Sequence, residues 1–146
     1  MNAQRAPLGM TLQVPVGNVE AGKRFYTGVF GRGPDFAPHD DFLEWQVLDG
    51  VELWWQVVGV AGEVEPLPTR VRFLVEDVEA AARRAQSELG VALSPITTLP
   101  GVVAYTNFDD PWGNRLGYYQ DIVPSGVQPE PGGSVHDERI FRVDRS

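Results

Sequence analysis

The sequence predicts an α+β protein in which one strand–helix–strands unit occurs twice. Two observations support this. Residues 12–31 align without gaps with residues 71–90. In each copy an alternating apolar stretch precedes a helix-start signal, and turn signals separate the strand-like stretches that follow. The identical pairs are Val16/Val75, Val19/Val78, Glu20/Glu79, Ala21/Ala80, Arg24/Arg83 and Gly31/Gly90.

The first copy contains one amphipathic helix. Leu12, Val14 and Val16 share one face of the strand before it. Asn18 is expected to be the N-cap of the helix, and Gly31 is expected to end it in the left-handed conformation that glycine tolerates. The predicted strands of this copy span residues 12–16, 43–48 and 51–58, and the last two flank a two-residue hairpin turn at Asp49-Gly50.

The second copy repeats this order. Asp77 takes the N-cap position and Gly90 the position that ends the helix. The segment Asp110-Pro111-Trp112-Gly113 has proline second and glycine fourth, which is typical of a type I turn. The predicted strands of this copy span residues 71–75, 91–93, 102–107 and 115–120.

The two copies predict one domain over residues 1–123, with module one at 9–60 and module two at 68–123. Residues 124–146 form a C-terminal extension that begins rich in proline, glycine and serine, which is typical of an irregular connector. Residues 139–143 alternate in polarity and predict one short strand. Because its apolar side chains should not remain in water, we expect residues 138–143 to pack on the body or on a second copy of the chain.

The composition argues against several classes of function. The 146 residues include 20 acidic and 12 basic side chains, for a net charge of −8, and a nucleic-acid partner would need a basic face. The chain has no cysteine, which excludes disulfides, thiolate metal sites and cysteine nucleophiles. No apolar run reaches the ~20 residues of a membrane span, and no apolar signal core begins the chain. We therefore expect a cytoplasmic protein with neither a nucleic-acid nor a membrane partner.

The histidines and serines do not predict a catalytic centre. His39 lies in a predicted loop beside Asp40 and Asp41, a grouping typical of a solvated surface, and His136 lies in the extension. No serine has a histidine at a plausible general-base position, and the chain contains no phosphate-binding loop or dinucleotide motif. We therefore assign no catalytic residue.

Two motifs resemble the vicinal oxygen chelate superfamily, which includes glyoxalase, bleomycin-resistance proteins and extradiol dioxygenases. Phe25-Tyr26-Thr27-Gly28-Val29-Phe30-Gly31 is similar to the end of its first helix, and the stretch from Asp110 to Gln120 is similar to its last hairpin. The second motif resembles the glyoxalase-like or bleomycin-resistance-like branch. The resemblance implies two βαβββ modules that form a curved, partly closed mixed sheet around a cavity, in a homodimer.

The resemblance also implies where a metal would bind. Metal-binding members use four inward-facing side chains, two in each unit, typically histidine or glutamine and glutamate. The corresponding positions here are Thr11, Arg70 and Gly117, with Glu52 or Leu53 as the fourth. A guanidinium has no acceptor atom and repels a divalent cation. We therefore expect neither a metal nor another cofactor.

Strand alternation predicts which side chains line the cavity. The apolar faces of the two first strands should pack under the helices, so the opposite faces point inward. The lining is aromatic and polar, which suits a small organic molecule. The predicted ligand-binding residues are Thr11, Gln13, Arg70, Arg72, Arg115 and Tyr119, joined by Glu52, Trp54 and Gln56 if Glu52 faces inward.

The arginine pair Arg70 and Arg72 allows two interpretations. The two side chains could bind a carboxylate or phosphate through bidentate hydrogen bonds. Alternatively, Glu52 and an acid on a neighbouring strand could pair with them, so that they only stabilise the sheet. The tryptophans also allow two interpretations, since each could stack on a ligand or fill the core.

Three hypotheses for function follow. The first is a metal-free, glyoxalase-like protein that binds a small organic molecule, of the resistance or sequestration type. The second is a lyase or isomerase-type enzyme that uses Glu52, Arg70 and Tyr119 for acid–base chemistry, or a metal bound by ligands other than those considered above. The third is a regulatory or partner-binding module that acts through the extension.

Overall fold

The computed structural model describes residues 6–122. The predicted extension at 124–146, with the strand at 139–143 and the packing of 138–143, lies outside the described residues. The elements of module one are β1 (Met10–Val16), α1 (Val19–Phe30), β2 (Phe36–His39), β3 (Phe42–Gln46) and β4 (Leu53–Gly59). The elements of module two are β5 (Val71–Leu74), α2 (Val78–Arg84), β6 (Thr97–Leu99), β7 (Val103–Asp109) and β8 (Arg115–Asp121).

The strands form two four-stranded mixed sheets of the same topology. The order is β1-β4-β3-β2 in one sheet and β5-β8-β7-β6 in the other. In each sheet the first strand of the module pairs in parallel with the last, and the other pairs are antiparallel. The predicted α+β class and the duplicated βαβββ module are therefore confirmed. Within residues 6–122 each module contributes one of the two sheets.

Both helices begin at the predicted N-caps, and α1 ends at the predicted glycine, whereas α2 ends at Arg84, before the predicted Gly90. The side chain of Asn18 accepts a hydrogen bond from the Ala21 N–H at 2.9 Å, and that of Asp77 accepts one from the Ala80 N–H at 3.1 Å. Gly31 follows α1 with a φ of 74°. After α2 the chain continues through a wider, π-helical turn at Ala85–Leu89.

An aromatic core joins the two modules. Tyr26, Trp45 and Trp55 of module one are almost fully buried. Phe30 at the end of α1 packs edge-on against Phe73 of β5, with ring centroids 5.6 Å apart. Since Phe30 also contacts Trp45 and Trp55, one apolar cluster spans both modules.

A buried polar network crosses the same boundary. The Tyr26 hydroxyl donates to Asp110 Oδ2 at 2.6 Å. Asn114, which is fully buried, donates from Nδ2 to Asp110 Oδ2 and to the Pro15 carbonyl, both at 2.8 Å, and accepts from the Leu67 N–H at 2.9 Å. The last-hairpin motif of module two therefore holds α1, β1 and the connection between the modules.

Three local predictions are wrong. Residues 91–93 are not a strand, because Val91 and Leu93 pack against the core without joining a ladder. The edge strand of module two is β6 instead. His39 ends strand β2 and does not lie in a loop. The predicted two-residue hairpin at Asp49-Gly50 is a turn in which the Leu48 carbonyl accepts from the Val51 N–H. This turn does not join the two strands directly, because the β3–β4 ladder stops at the pair Gln46–Trp54.

Among residues 6–122, neither helix has the length and apolar character that a membrane span requires.

Candidate functional site

Each sheet has one face packed against the core and one open face. Along β1, Val14 and Val16 are fully buried, whereas Thr11 and Gln13 are exposed. We call the open face of the first sheet the module-one face; its residues are Thr11, Gln13, Phe36, Glu44, Trp54 and Gln56. We call the open face of the second sheet the module-two face; its residues are Arg70, Arg72, Leu74, Tyr105, Asn107, Asp109, Arg115, Gly117 and Tyr119.

One row of paired residues crosses the module-one face. Gln13 pairs with Gln56, Gln56 with Glu44, and Glu44 with Phe36. Gln56 is buried, with 8% exposure, and its Nε2 donates to Glu44 Oε1 at 2.6 Å. This bond orients the amide, and the opposite amide atom, Oε1, is buried without a hydrogen-bond partner among the described residues.

An aromatic pair is formed by Phe36, the last residue of this row, and Trp54 of β4. The rings of Trp54 and Phe36 have centroids 5.5 Å apart, and Phe36 is 57% exposed. Trp54 also lines a cleft of about 350 Å³ together with Thr11 and Glu52. The module-one face therefore offers planar apolar surface next to a buried amide and a carboxylate.

The predicted role of Glu52 needs correction. Glu52 precedes β4 and is exposed. Its carboxylate accepts a long hydrogen bond, 3.3 Å, from Trp54 Nε1, and its carbonyl accepts from the Met10 N–H. The expectation that Glu52 pairs with the arginines of module two is wrong, because they belong to the other sheet and have other partners.

Strand register also corrects the expected metal positions. Leu12 pairs with Trp55, and its repeat equivalent Val71 pairs with Leu116. Gln56 is therefore the module-one counterpart of Gly117, rather than Glu52 or Leu53. The strand partners of Gln56 and Gly117 are Gln13 and Arg72, which lie two residues after the expected positions Thr11 and Arg70 on the same open faces; the pairing leaves those two positions unchanged.

The residues at these four positions do not fit a divalent metal. Thr11, Gln56, Arg70 and Gly117 include no carboxylate or imidazole, and one of them is a guanidinium. In the part of the chain that the structure describes, no group of three or more histidine or acidic side chains could share a metal ion. No chemical step can therefore be assigned to a metal here.

The structure separates the roles of the two arginines on β5. Arg70 donates from Nη1 to the Leu116 carbonyl at 2.6 Å and lies 3.9 Å from Asp109 Oδ1, with its side chain 10% exposed. These contacts link β5 to β8 and β7. Arg70 therefore has the stabilising role, with Asp109 as the acid on a neighbouring strand.

Arg72 has different partners. Its Nε donates to Asn107 Oδ1 at 3.0 Å, and its Cζ lies 4.4 Å from the centroid of the Tyr105 ring. The ring and the amide fix the plane of the guanidinium. Tyr119 stands directly opposite Tyr105 in the β7–β8 ladder, and Arg115 stands opposite Asp109.

The nine predicted ligand-binding residues therefore form two groups on two sheets. Thr11, Gln13, Glu52, Trp54 and Gln56 belong to module one, and Arg70, Arg72, Arg115 and Tyr119 belong to module two. Sequence reasoning missed Phe36, Glu44, Tyr105 and Asn107 on the same faces. Alternation along the predicted strand at 102–107 already placed Tyr105 and Asn107 together, so part of that signal was available.

Neither a family model nor a curated sequence matches the chain, whereas several solved structures share its fold. A glyoxalase/bleomycin resistance protein from Catenulispora acidiphila DSM 44928 superposes with a TM-score of 0.60 and 26% identity, covering 78% of this chain and 98% of that one. TnmS3, an antibiotic-binding protein from Streptomyces sp. CB03234, superposes with a TM-score of 0.63 and 24% identity, covering 82% and 99%. The oxidase ChaP-H1 gives a TM-score of 0.62 and 23% identity, covering 84% and 100%.

Proposed function

Because the chain has the fold of the vicinal oxygen chelate superfamily, we propose that it binds a small organic molecule without a metal, in a resistance or sequestration role. One observation carries this proposal: the exposed Phe36 and the half-buried Trp54 pack together beside the hydrogen bond between the buried Gln56 and the half-buried Glu44. Apolar surface next to a few oriented polar groups is typical of a ligand site. The fold also occurs in an antibiotic-binding protein, which is consistent with this role.

The proposed ligand is planar, apolar over much of its surface and anionic. The planar apolar part would pack on the Trp54 and Phe36 rings, and the arginines of the module-two face favour negative charge. We further propose that the protein acts as a cytoplasmic homodimer. Several apolar side chains on the open faces and at strand ends are exposed, among them Met10, Phe36 and Leu74. Their exposure supports the proposal that a second copy of the chain covers these surfaces.

The acid–base alternative has less support from the geometry. It requires Glu52, Arg70 and Tyr119 to act on one substrate. Glu52 is exposed, and its carboxylate accepts a hydrogen bond from Trp54 Nε1. Arg70 is held by the Leu116 carbonyl and by Asp109. The regulatory alternative depends on the extension, outside the described residues.

Ligand binding is tested by titration with 2-naphthamide, a planar neutral probe, followed by tryptophan fluorescence and calorimetry. We expect quenching of emission and a dissociation constant in the micromolar range. Trp54→Leu should weaken binding about fivefold, since an aromatic contact contributes about 1 kcal/mol beyond the area it buries. Leu48→Ala, at an exposed apolar residue between β3 and β4, is the control and should bind as the parent does. Equal affinity in the parent and Trp54→Leu would contradict the proposed site.

A separate measurement addresses the metal. Protein purified without added metal is expected to contain less than one equivalent of any divalent ion, and a chelator should leave its melting temperature unchanged. The reason is the lack of carboxylates among Thr11, Gln56, Arg70 and Gly117. One tightly held ion per chain, lost on mutation of Gln13 or Gln56, would show that this proposal is wrong.

A further inference from the structure

We propose that the Glu44 carboxylate, oriented by Gln56, accepts a hydrogen bond from the bound ligand, so that the module-one face selects planar aromatic molecules that carry an N–H donor. This inference rests on the proposed function, because it concerns the same ligand with its ring system on Trp54 and Phe36. It names the polar group that the ligand presents beside those rings. The negative charge proposed for the ligand is then expected on a part of the molecule that lies away from Glu44.

The Glu44 carboxylate lies where a ligand on the aromatic pair can reach it. Glu44 is half-buried on β3 and stands opposite Phe36 in the β2–β3 ladder. Together with Phe36, Ala37 and Pro38 it lines an open cleft of about 420 Å³. The Phe36 ring in turn packs against the Trp54 ring, with centroids 5.5 Å apart. A ring system on this pair therefore places its substituents next to the carboxylate.

The charge of Glu44 is not neutralised by a cation in the part of the chain that the structure describes. There Glu44 takes part in no ion pair, and its carboxylate accepts one hydrogen bond, from Gln56. Arg32, which donates to the Gln46 carbonyl on the same strand, pairs with Asp35 at 3.2 Å. Gln56 has no formal charge, so it orients the carboxylate and leaves the charge in place. Since a hydrogen bond to an ionised acceptor is about twice as strong as a neutral one, Glu44 favours a ligand donor.

The Gln56–Glu44 pair also has more acceptors than bound donors. Of its three side-chain oxygens, only Glu44 Oε1 accepts a hydrogen bond from a protein group among the described residues. Gln56 is 8% exposed, and within residues 6–122 its Oε1 is buried without a partner. The opposite amide orientation would place this oxygen against the carboxylate, so the bond from Nε2 fixes the arrangement. The complementary ligand group is therefore a hydrogen-bond donor.

The other polar groups near the rings fit this role less well. Glu52 is exposed and lines the separate cleft of about 350 Å³ beside Trp54, and its carboxylate already accepts from Trp54 Nε1. The Thr11 hydroxyl can both donate and accept, so it does not discriminate between ligand groups. The module-one face, as defined above, includes no basic side chain. An N–H-bearing edge, as in aromatic amides and amino-substituted nitrogen heterocycles, is therefore favoured over an edge that carries only oxygen acceptors.

The experiment compares 2-naphthamide with methyl 2-naphthoate by calorimetry on the full chain. Both probes are neutral and contain the same ring system and a carbonyl group, but only the amide has N–H donors. The parent is expected to bind the amide about tenfold to a hundredfold more tightly, which corresponds to one hydrogen bond to a charged group. Glu44→Gln keeps the size of the side chain but loses the charge, and it should remove most of this preference by weakening the amide alone. Glu63→Gln removes an equal charge from the exposed connection between the modules and should change neither affinity.

Gln56→Leu tests the positioning of the carboxylate. It removes the Nε2 donor from a side chain of similar size, so the preference for the amide should fall severalfold while the ester affinity stays constant. Glu44→Asp withdraws the carboxylate by one methylene group and should keep only part of the preference, which provides a second test if Glu44→Gln does not fold. Circular dichroism confirms that each variant is folded.

The outcomes separate this inference from the proposed function. Equal binding of amide and ester by the parent would overturn the inference and leave the proposed binding function standing. The same holds for a preference that survives unchanged in Glu44→Gln or Glu44→Asp. If neither probe binds at millimolar concentration, the proposed function itself fails.

Discussion

Replacing Asp110 with alanine is expected to lower the free energy of unfolding by about 3 kcal/mol or more, because it removes the acceptor of a buried network. Asp110 is 4% exposed. Its carboxylate accepts from the Tyr26 hydroxyl, from the Asn114 side chain, and from the backbone N–H groups of Trp112 and Asn114. In the variant these buried donors lose their partner, and the contact between the modules is lost with them.

The adjacent residue provides a matched control. Asp109 is 58% exposed in its side chain and makes one long contact, 3.9 Å, to Arg70. Asp109→Ala should therefore cost less than about 1 kcal/mol. Denaturant unfolding of both variants gives the two values. If Asp110→Ala does not fold, Asp110→Asn, which keeps one acceptor, should still be clearly less stable than the parent. Equal stability losses at the two positions would contradict the structural role of the network.

The second large effect is a loss of stability at alkaline pH that depends on Tyr26. Burial, followed by the negative charge and the hydrogen bond of Asp110, raises the pKa of Tyr26 far above its ordinary value of 10.0. The folded state therefore keeps the phenol proton at pH values where the unfolded chain has released it. Below pH 10 this group does not change stability with pH. Above it, unfolding becomes easier by about 1.4 kcal/mol for each pH unit.

Tyr26→Phe tests this assignment. At pH 8 the variant should be less stable than the parent by about 1 to 2 kcal/mol, because a buried hydrogen bond is lost. The difference should shrink as the pH rises above 10 and reverse near pH 12, since phenylalanine has no proton to release. Tyr119→Phe, on the open module-two face, is the control and should keep the steep alkaline loss of the parent. Parallel curves for the parent and Tyr26→Phe would contradict the prediction.

The helix starts and the glycines that follow the helical segments were predictable because they depend on local chemistry. Asn18 and Asp77 carry the acceptor that an N-cap needs, and Gly31 and Gly90 adopt the positive φ that only glycine takes easily. These rules involve a few adjacent residues, and the repeat supplied two independent instances of each.

The β3–β4 connection shows why hairpin register was harder to predict. A two-residue hairpin of type I′ needs positive φ at both central residues. Gly50 has a φ of 74°, but within residues 6–122 no residue other than glycine has positive φ, so Asp49 does not meet this condition. The turn therefore forms, but it does not continue the ladder. The sequence alone does not show which conformation Asp49 adopts.

For the site residues, the predictions included the sheet face on which each residue lies but not the residues that it contacts. Alternation placed Gln13, Gln56 and Arg72 correctly on open faces, because it needs only the strand assignments. The metal-equivalent position of Gln56 and the contact of Arg72 with Asn107 depend on how strands pair. Residues that face each other here are tens of positions apart in the chain, and no short-range pattern encodes that pairing.

The parallel pairing of the first and last strands in each module affects the order in which the strands assemble during folding. The antiparallel hairpins β3–β4 and β7–β8 join neighbouring segments, whereas β1 reaches β4, and β5 reaches β8, only after the whole intervening chain has been ordered. Closing a loop about four times longer costs about 1 kcal/mol more in chain entropy. Hairpins form within microseconds, so each module is expected to build its antiparallel part first. The first strand then adds last, and the transition state for folding should contain little of β1.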